Sequence, residues 1–289
     1  MPWGRWVGKL PKWPVLFRIV TIPILLDPFR IPSAILEPMG RFASTVEFYT
    51  RCREPYSAEF FQTVAERLAL HGDEALLDIG CGPGPLAIGF APFVGSCTAL
   101  DPEAAMIEAA REAAEAAGVH LALHLGRIED YPAGELFSVV TIGRALHWLD
   151  RGAALEALER IVSERGRVLV CGATSTETPA SPWLKPYQEI CNSWSDDPER
   201  KRYRIKPKDW FVGSPFVELC NVTVTYSQRV SITDLIGRAL SKSNTSPSVV
   251  GKRQAGFEAA IRAVLEPFSR DGVVEEEIDS RAAIFGRPA

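Results

Sequence analysis

Strand-like and helix-like segments alternate regularly between residues 57 and 171, and this pattern constrains the fold more than any other feature. Ser57 stands before apolar residues at helical spacing, which predicts an amphipathic helix with a serine cap. Short apolar runs predict buried strands at residues 75–79, 97–100, 121–125, 137–142 and 167–171. The segments between them predict helices at residues 86–93, 103–117 and 153–162. This order predicts right-handed βαβ crossovers and a mainly parallel sheet with helices on both faces.

Beyond residue 181 the alternation becomes less regular. Residues 217–226 and 274–285 are predicted to be strands, the second of them an antiparallel edge strand paired with the first. Helices are predicted at residues 232–240 and 257–268, and the charged residues 193–208 predict a surface loop. Because the sequence contains no internal repeat, we expect one α/β domain over residues 39–289, with a cap of substrate-binding elements at residues 181–270.

The overall composition excludes several classes of protein. Hydrophobic residues make up 46% of the 289 residues and charged residues 24%, which is the balance of a globular protein rather than of a disordered chain. The net charge of −4, without a basic stripe, argues against binding to nucleic acid. Six cysteines without a Cys-x-x-Cys pair argue against a disulfide framework and a metal site, so free thiols are expected.

The first 38 residues form a basic segment that contains 7 of the 22 prolines and 3 of the 7 tryptophans. The prolines interrupt any continuous helix, so we expect neither a transmembrane span nor a signal peptide, and a cytoplasmic location. Three interpretations of this segment stay open. The segment is interpreted as an arm that contacts a membrane surface, as a poorly packed extension, or as sequence translated upstream of a true start at Met39.

A glycine-rich turn, Gly80-x-Gly82-x-Gly84, joins the first predicted strand of the alternating region to the next helix. Glycines permit positive φ angles and let a ligand lie against bare main chain, while the N–H groups at a helix start favour an anionic group. Asp101 ends the following predicted strand, where a carboxylate can accept hydrogen bonds from the hydroxyls of an adenosine ribose. The pattern lacks the third glycine of a dinucleotide fingerprint, because Pro85 stands there, and no Gly-Lys-Ser/Thr of a Walker loop follows.

Residues 78–84, Asp-Ile-Gly-Cys-Gly-Pro-Gly, together with residues 99–102, Ala-Leu-Asp-Pro, and Met106 resemble the cofactor signature of class I S-adenosylmethionine-dependent methyltransferases. Residues 126–132, 137–141 and 145–148 are similar to the segments that follow in this family. The last of these, Ala-Leu-His-Trp, is commoner in the small-molecule branch similar to trans-aconitate methyltransferase. Residues 49–56, Tyr-x-x-x-Arg-x-Pro-Tyr, resemble the N-terminal lid of that branch, and the serines within residues 241–246 resemble its C-terminal cap.

Two positions depart from the family pattern. Arg127 stands where the family often has an acidic residue beside adenine, so adenine recognition is expected to fall to Glu129 or to the main chain. Ser138 follows Phe137, where an aspartate is usual. Neither departure alters the glycine turn or Asp101.

The resemblance implies a Rossmann-like fold of seven strands and S-adenosylmethionine as the cofactor. The residues implied to contact the cofactor are Tyr49, Arg53, Asp78, Gly80, Cys81, Gly82, Gly84, Asp101, Pro102, Met106, Ile128, Glu129 and Gly143. The residues implied to contact the substrate are Trp148, Ser241 and Ser243. Structural roles stay open for several of these residues. In these alternative roles, Asp78 caps main-chain N–H groups, Met106 belongs to the core, and the serines are ordinary loop residues.

His147 and Arg144 follow the fourth predicted strand, at the edge where ligands of such sheets bind. His147 is a candidate general base because its pKa range suits that role, and packing beside Trp148 is the alternative. Arg144 is predicted either to bind an acidic substrate through its planar guanidinium or to form a surface ion pair.

Together these features predict a methyltransferase that acts on a small molecule, with an acidic or oxygen-bearing metabolite as the expected acceptor. Two alternatives stay open. An NAD-dependent oxidoreductase shares the ribose carboxylate, and a non-catalytic module could bind S-adenosylmethionine to regulate a partner. Methylation of nucleic acid is not expected, because residues 143–146 are Gly-Arg-Ala-Leu in place of the Asn/Asp-Pro-Pro-Tyr/Phe motif.

Overall fold

A computed structural model describes Phe48 and residues 51–195 and 205–288 of the chain. All of them fall in the larger of two compact units, Pro38–Ala289, while the other unit is Met1–Glu37. The predictions for residues 1–38, for Tyr49 and for residues 196–204 of the predicted surface loop lie outside the described residues. They stay predictions, as does the domain boundary at residue 38.

The described residues contain a seven-stranded sheet in the order β3-β2-β1-β4-β5-β7-β6. Its strands are β1 (Ala75–Ile79), β2 (Ser96–Asp101), β3 (Ala122–Leu125), β4 (Phe137–Gly143), β5 (Val162–Ser175), β6 (Val217–Ser231) and β7 (Val273–Gly286). The first five strands pair in parallel, and β7 is antiparallel to both of its neighbours. The predicted Rossmann-like, mainly parallel sheet with an antiparallel element towards one edge is therefore confirmed.

Helices connect these strands on both faces of the sheet. They are α1 (Ala58–Leu68), α2 (Pro85–Phe90), α3 (Ala104–Ala117), α4 (Arg151–Ile161), α5 (Leu184–Ser193), α6 (Pro207–Trp210), α7 (Ile232–Leu240), α8 (Pro247–Val250) and α9 (Gln254–Leu265). The serine cap predicted for α1 is present, since the side chain of Ser57 accepts a hydrogen bond from the N–H of Phe60 over 3.1 Å. Within the described residues, no helix is long and apolar enough to cross a membrane.

The final strand differs from its sequence-based prediction in one respect, because β7 lies between β5 and β6 and the edge position belongs to β6. The sequence of β7 is polar for an interior strand, which is why it resembles an edge. Its buried polar side chains have partners in the fold. Glu276 pairs with Arg238 of α7, and Asp279 accepts a 2.5 Å hydrogen bond from Thr225 of β6.

Three groups of buried residues form the core. Leu76 and Leu77 are neighbours on β1 and point to opposite faces of the sheet, so they belong to different groups. The Leu76 group joins the sheet to α1, α2 and α3, and the Leu77 group joins it to α4. The third group lies among α5, α7 and α9, which form the cap. All six cysteines are free thiols.

Candidate functional site

The glycine turn connects β1 to α2 and has the conformation that its sequence predicts. Gly80, Gly82 and Gly84 have φ angles of 63°, 55° and 79°, which residues with a side chain rarely adopt. A Cβ on Gly80 would also lie 2.6 Å from the Cβ of Ala145, in the loop after β4. The main chain of the turn therefore packs directly against that loop, and position 80 has no room for a side chain.

Asp101 joins the end of β2 to the glycine turn. Its Oδ2 accepts a hydrogen bond from the N–H of Gly82 and its Oδ1 accepts one from the N–H of Glu103, each over 2.9 Å. The residue is only 7% exposed, and this burial raises the pKa of its carboxyl although the two main-chain bonds oppose the shift. Each carboxylate oxygen can accept a second hydrogen bond, so the pair suits the two hydroxyls of a ribose.

Asp78 is buried beneath the turn at 1% exposure. Its Oδ1 accepts a hydrogen bond from the hydroxyl of Thr141 on β4 over 2.8 Å, and its Oδ2 accepts one from the N–H of Ala87 on α2 over 3.3 Å. Burial raises the pKa of Asp78 to about 7. Asp78 therefore caps a main-chain N–H group of α2, which is the structural role that the sequence left open. Asp78 also lines a small cavity with Gly80 and Gly143, so its predicted contact with a ligand stays a prediction.

Residues 51–56, which we call the strap, precede α1 and are bound through their main-chain oxygens. The carbonyl of Cys52 accepts a hydrogen bond from Nε of Arg238 over 2.8 Å, and the carbonyl of Pro55 accepts one from the hydroxyl of Tyr226 over 2.6 Å. A guanidinium nitrogen of Arg53 in turn donates to the carbonyl of Ser241 over 2.9 Å. The strap is therefore attached both to the cap and to β6.

A cavity of about 380 Å³ lies between the strap and the glycine turn. Its volume falls within the usual range of small-molecule sites. The turn contributes Pro83 and the first residue of α2, Pro85. The charged residues of the lining are Arg51, Arg53, Glu54, Arg144, Arg229, Asp234 and Arg238. Two of the five arginines pair with carboxylates outside the lining, Arg238 with Glu276 and Arg229 with Glu275, so the lining keeps a small positive excess that favours anionic groups.

Arg144 adopts a φ angle of 58°, in the left-handed region that costs a residue with a side chain about 1–2 kcal/mol. One of its guanidinium nitrogens donates to the carbonyl of Glu54 in the strap and, over 3.2 Å, to the carbonyl of Ala173 on β5. The guanidinium also lies 5.1 Å from the centre of the Tyr56 ring. Arg144 thus connects the strap to the sheet, a contact that its sequence position did not predict. Its proposed contact with a substrate stays a prediction.

His147 and Trp148 lie in a short 3₁₀ turn, Leu146–Trp148, after β4. Both are half-buried, and their ring centres are 4.9 Å apart. The turn follows Ala145, the residue against which Gly80 packs. Among the described residues, neither ring lines the 380 Å³ cavity, so their predicted catalytic and substrate roles stay predictions.

The other predicted contacts lie in several environments. On the cofactor side, Cys81, Met106 and Ile128 are buried, while Pro102, Glu129 and Gly143 are half-buried. Met106 belongs to α3, where it occupies the core position that was its alternative role. A Cβ on Gly143 would lie 2.6 Å from the side chain of Leu86, so close packing requires glycine there.

The two cap serines differ in exposure. Ser241 is fully buried, and its hydroxyl donates to the carbonyl of Arg238 over 2.7 Å at the end of α7. Ser243 is half-buried. The hydrogen bond of Ser241 is that of a loop residue that closes a helix, so contact of either serine with a substrate stays a prediction.

Sequence reasoning missed a buried charged group next to the cavity. Arg238 is 2% exposed and Glu276 is completely buried, and their side chains form an ion pair. A carboxylate oxygen of Glu54 lies 3.7 Å from the same guanidinium. One signal could have indicated the group, since Arg238 lies among the apolar residues of α7, where a charge needs a buried partner.

Comparison with known proteins gives a match to one family model. Residues 76–166, from β1 into β5, match the family model described as a methyltransferase domain. This segment contains the glycine turn, Asp101, Arg144 and His147.

The chain, of which this segment is about a third, is similar to proteins named as methyltransferases. It is 26% identical over 141 residues to an uncharacterised methyltransferase of Bacillus subtilis, an alignment that covers 48% of this chain and 56% of the relative. An uncharacterised methyltransferase of Schizosaccharomyces pombe is 32% identical over 116 residues, with 38% and 44% covered. The chain thus spans about half the length of these two methyltransferases.

Two further similarities extend over more of this chain. An uncharacterised methyltransferase of Mycobacterium tuberculosis is 26% identical over 212 residues, which cover 72% of this chain and 80% of the relative. The structure of a proposed type II methyltransferase from Anaeromyxobacter dehalogenans superposes with a TM-score of 0.58 at 19% identity, with 81% of this chain and 97% of that chain covered. The second similarity shows that the fold shared with that protein extends well beyond the matched segment.

Proposed function

We propose that this chain transfers a methyl group from S-adenosylmethionine to a small-molecule acceptor and releases S-adenosylhomocysteine. The observation that carries the proposal is the hydrogen bond between Gly82 and Asp101, which places a bare glycine turn beside a buried carboxylate at the carboxyl edge of a parallel sheet. The match of residues 76–166 to a methyltransferase domain supports the same activity.

The described residues fit S-adenosylmethionine. The oxygens of Asp101 keep acceptor capacity for the ribose hydroxyls, and the turn from Gly80 to Gly84 offers main chain without side chains to the methionine part. Arg53, at the cavity wall, can contact the carboxylate of that part. The remaining residues that the family resemblance implies, among them Pro102, Ile128 and Glu129, are proposed to surround the adenine.

When bound, S-adenosylmethionine supplies an electrophilic methyl group on a sulfonium centre. The protein then has to align the nucleophile of the acceptor and exclude water. The strap lines one side of the cavity, and its attachment to Arg144, β6 and α7 keeps it there. These residues therefore contribute orientation and shielding, and the protein needs a base only for an acceptor that has to lose a proton.

An acidic or oxygen-bearing metabolite is the acceptor that the cavity suits best. The excess of guanidinium groups in the lining attracts carboxylates, and a carboxylate acceptor needs no general base. For an acceptor with a hydroxyl or amine, His147 is the proposed base. Trp148, Ser241 and Ser243 are proposed to contribute to acceptor binding from the loop after β4 and from the cap.

Two measurements test the proposed function. Calorimetry of the purified chain with S-adenosylhomocysteine and, separately, with NADH should give binding of the first ligand alone, and binding of NADH alone would instead identify an oxidoreductase. Release of S-adenosylhomocysteine should then be followed with panels of carboxylates, hydroxyl compounds and amines. If the chain binds the cofactor but turns over no compound in any panel, the result favours the regulatory module over the enzyme.

A further inference from the structure

A buried arginine of the cap contacts both the strap and the sheet. The guanidinium of Arg238 donates from Nε to the carbonyl of Cys52, and it forms an ion pair with Glu276 on β7. Its third neighbour is the carboxylate of Glu54, 3.7 Å away. A buried charge requires such partners, because its removal from water is otherwise costly. One side chain therefore joins α7, β7 and the strap.

The charge on Glu54 keeps this contact in place over a wide pH range. Burial alone would raise the pKa of Glu54, but the guanidinium groups of Arg238 and Arg144, with smaller contributions from Lys242 and Arg53, lower it to about 2. Glu54 is therefore ionised wherever the protein is folded near neutral pH, and the strap does not detach by protonation of this residue.

Tyr226 of β6 provides a second attachment of the strap. Its hydroxyl donates to the carbonyl of Pro55 over 2.6 Å, across 171 residues of sequence. The main-chain oxygens of residues 52, 54 and 55 thus accept hydrogen bonds from α7, from Arg144 after β4, and from β6 respectively. The burial of Cys52 and the ring contacts of Tyr56 with Phe60 and Phe61 also hold the strap. A short segment can nevertheless open locally at a lower cost in free energy than the whole fold, so each contact affects how long it stays closed.

We propose that Tyr226 and Arg238 are positioning residues that keep the strap closed over the cofactor and set the time for which the cofactor stays bound. This inference rests on the proposed function, because it requires a cofactor beneath the strap. Neither residue has to touch the reacting atoms. Both act through the main chain of the strap, which lines the cavity together with Pro83 and Pro85.

The test compares Tyr226→Phe with a matched control, Tyr187→Phe. Tyr187 also donates its hydroxyl to a main-chain oxygen, that of Leu235, over 2.8 Å, but this bond lies within the cap. We expect Tyr226→Phe to speed amide hydrogen exchange in residues 52–56 and to raise the dissociation rate of S-adenosylhomocysteine by about three- to tenfold. Tyr187→Phe should change neither quantity relative to the wild-type chain, although it lowers the melting temperature.

Glu54→Gln tests the contact with Arg238 without removing the arginine, whose loss would leave two buried carboxylates unpaired. Glu54→Gln should raise both the rate of amide hydrogen exchange in the strap and the dissociation rate of S-adenosylhomocysteine. Unchanged exchange or unchanged dissociation in both strap variants overturns the inference, as does an equal effect of Tyr187→Phe. If the wild-type chain binds no S-adenosylhomocysteine, the proposed function itself fails, and exchange measured without ligand then reports only on the attachment of the strap.

Discussion

The main-chain N–H of Gly82 donates to Oδ2 of Asp101 over 2.9 Å, so the glycine turn and the end of β2 form one unit. A ligand that binds to the carboxylate therefore also depends on the position of the turn. Both parts come from the segment that matches the methyltransferase domain, and they lie 19 residues apart in sequence.

Asp101→Ala should weaken the binding of S-adenosylhomocysteine by about 1–3 kcal/mol, because hydrogen bonds to a charged acceptor are lost. Calorimetry measures this loss. Asp150→Ala is the control, since Asp150 caps α4 by accepting from the N–H of Ala153 and its loss should lower stability by about 0.5–2 kcal/mol without changing affinity. Equal affinity of Asp101→Ala and the wild-type chain would contradict the ribose role.

Gly80→Ala should destabilise the fold and weaken cofactor binding, because the added methyl group would lie 2.6 Å from the Cβ of Ala145. Gly118→Ala measures the conformational cost alone, since Gly118 has a φ angle of 67° and no atom within 4 Å of its built Cβ. Adding Ala145→Gly to Gly80→Ala should recover part of the lost stability. Denaturant unfolding that gives equal losses for the two single glycine variants would contradict the close contact.

Asp78 should make the stability of the protein depend on pH. Burial raises its pKa from 3.8 to about 7, so between these values the folded chain binds more protons than the unfolded chain. The contribution of Asp78 to the free energy of unfolding therefore falls as pH rises from about 4 to about 7, and it is constant above that. Urea unfolding should show that Asp78→Asn gains stability relative to the wild-type chain over this window. A constant difference between the two proteins from pH 4 to pH 8 would count against the shifted pKa.

Arg144→Gly should be more stable than Arg144→Ala by about 1 kcal/mol, because both lose the contacts with the strap and only glycine relieves the left-handed main chain. Thermal unfolding of the two variants gives the comparison directly. The reverse order of melting temperatures would show that the main chain at residue 144 is not strained.

His147→Ala should leave the affinity for S-adenosylhomocysteine unchanged, because His147, in the turn after β4, is proposed to act on the acceptor and not to hold the cofactor. It should lower the turnover of an acceptor that has to lose a proton and leave the turnover of a carboxylate unaltered. Parallel assays with both acceptor classes measure this difference. Equal turnover of wild type and variant on every acceptor would assign His147 to packing beside Trp148.

The sequence was sufficient to predict the structure wherever that structure depends on residues close together in the chain. The span Ala75–Ile79 of β1, the span Ile232–Leu240 of α7 and the cap of α1 by Ser57 agree with their predictions, because apolar spacing and local hydrogen bonds determine them. The glycine turn belongs to the same group, since its φ angles follow from its residue types.

Contacts between segments that are far apart in the sequence could not be predicted from local residue patterns. Strand β5 extends beyond the predicted 167–171 in both directions. Val162 at its start pairs with Phe137 of β4, and residues 172–175 pair with β7, more than 100 residues later. The partners of Arg238 on β7 and in the strap lie 38 and 186 residues away. The left-handed φ angle of Arg144 follows from its tertiary contacts, and no residue preference indicates it.

The pairing of β6 with β7 has a consequence for how the cap can change. The register of these strands ends at the pair of Ser231 with Val273, and the N–H of Ile232 donates to the carbonyl of Gly272 over 2.9 Å. The intervening helices thus leave the sheet and return to it at adjacent points. A segment inserted in this way can differ in length or shape without shifting either strand, provided that it keeps an arginine at the position of Arg238 as the buried partner of Glu276.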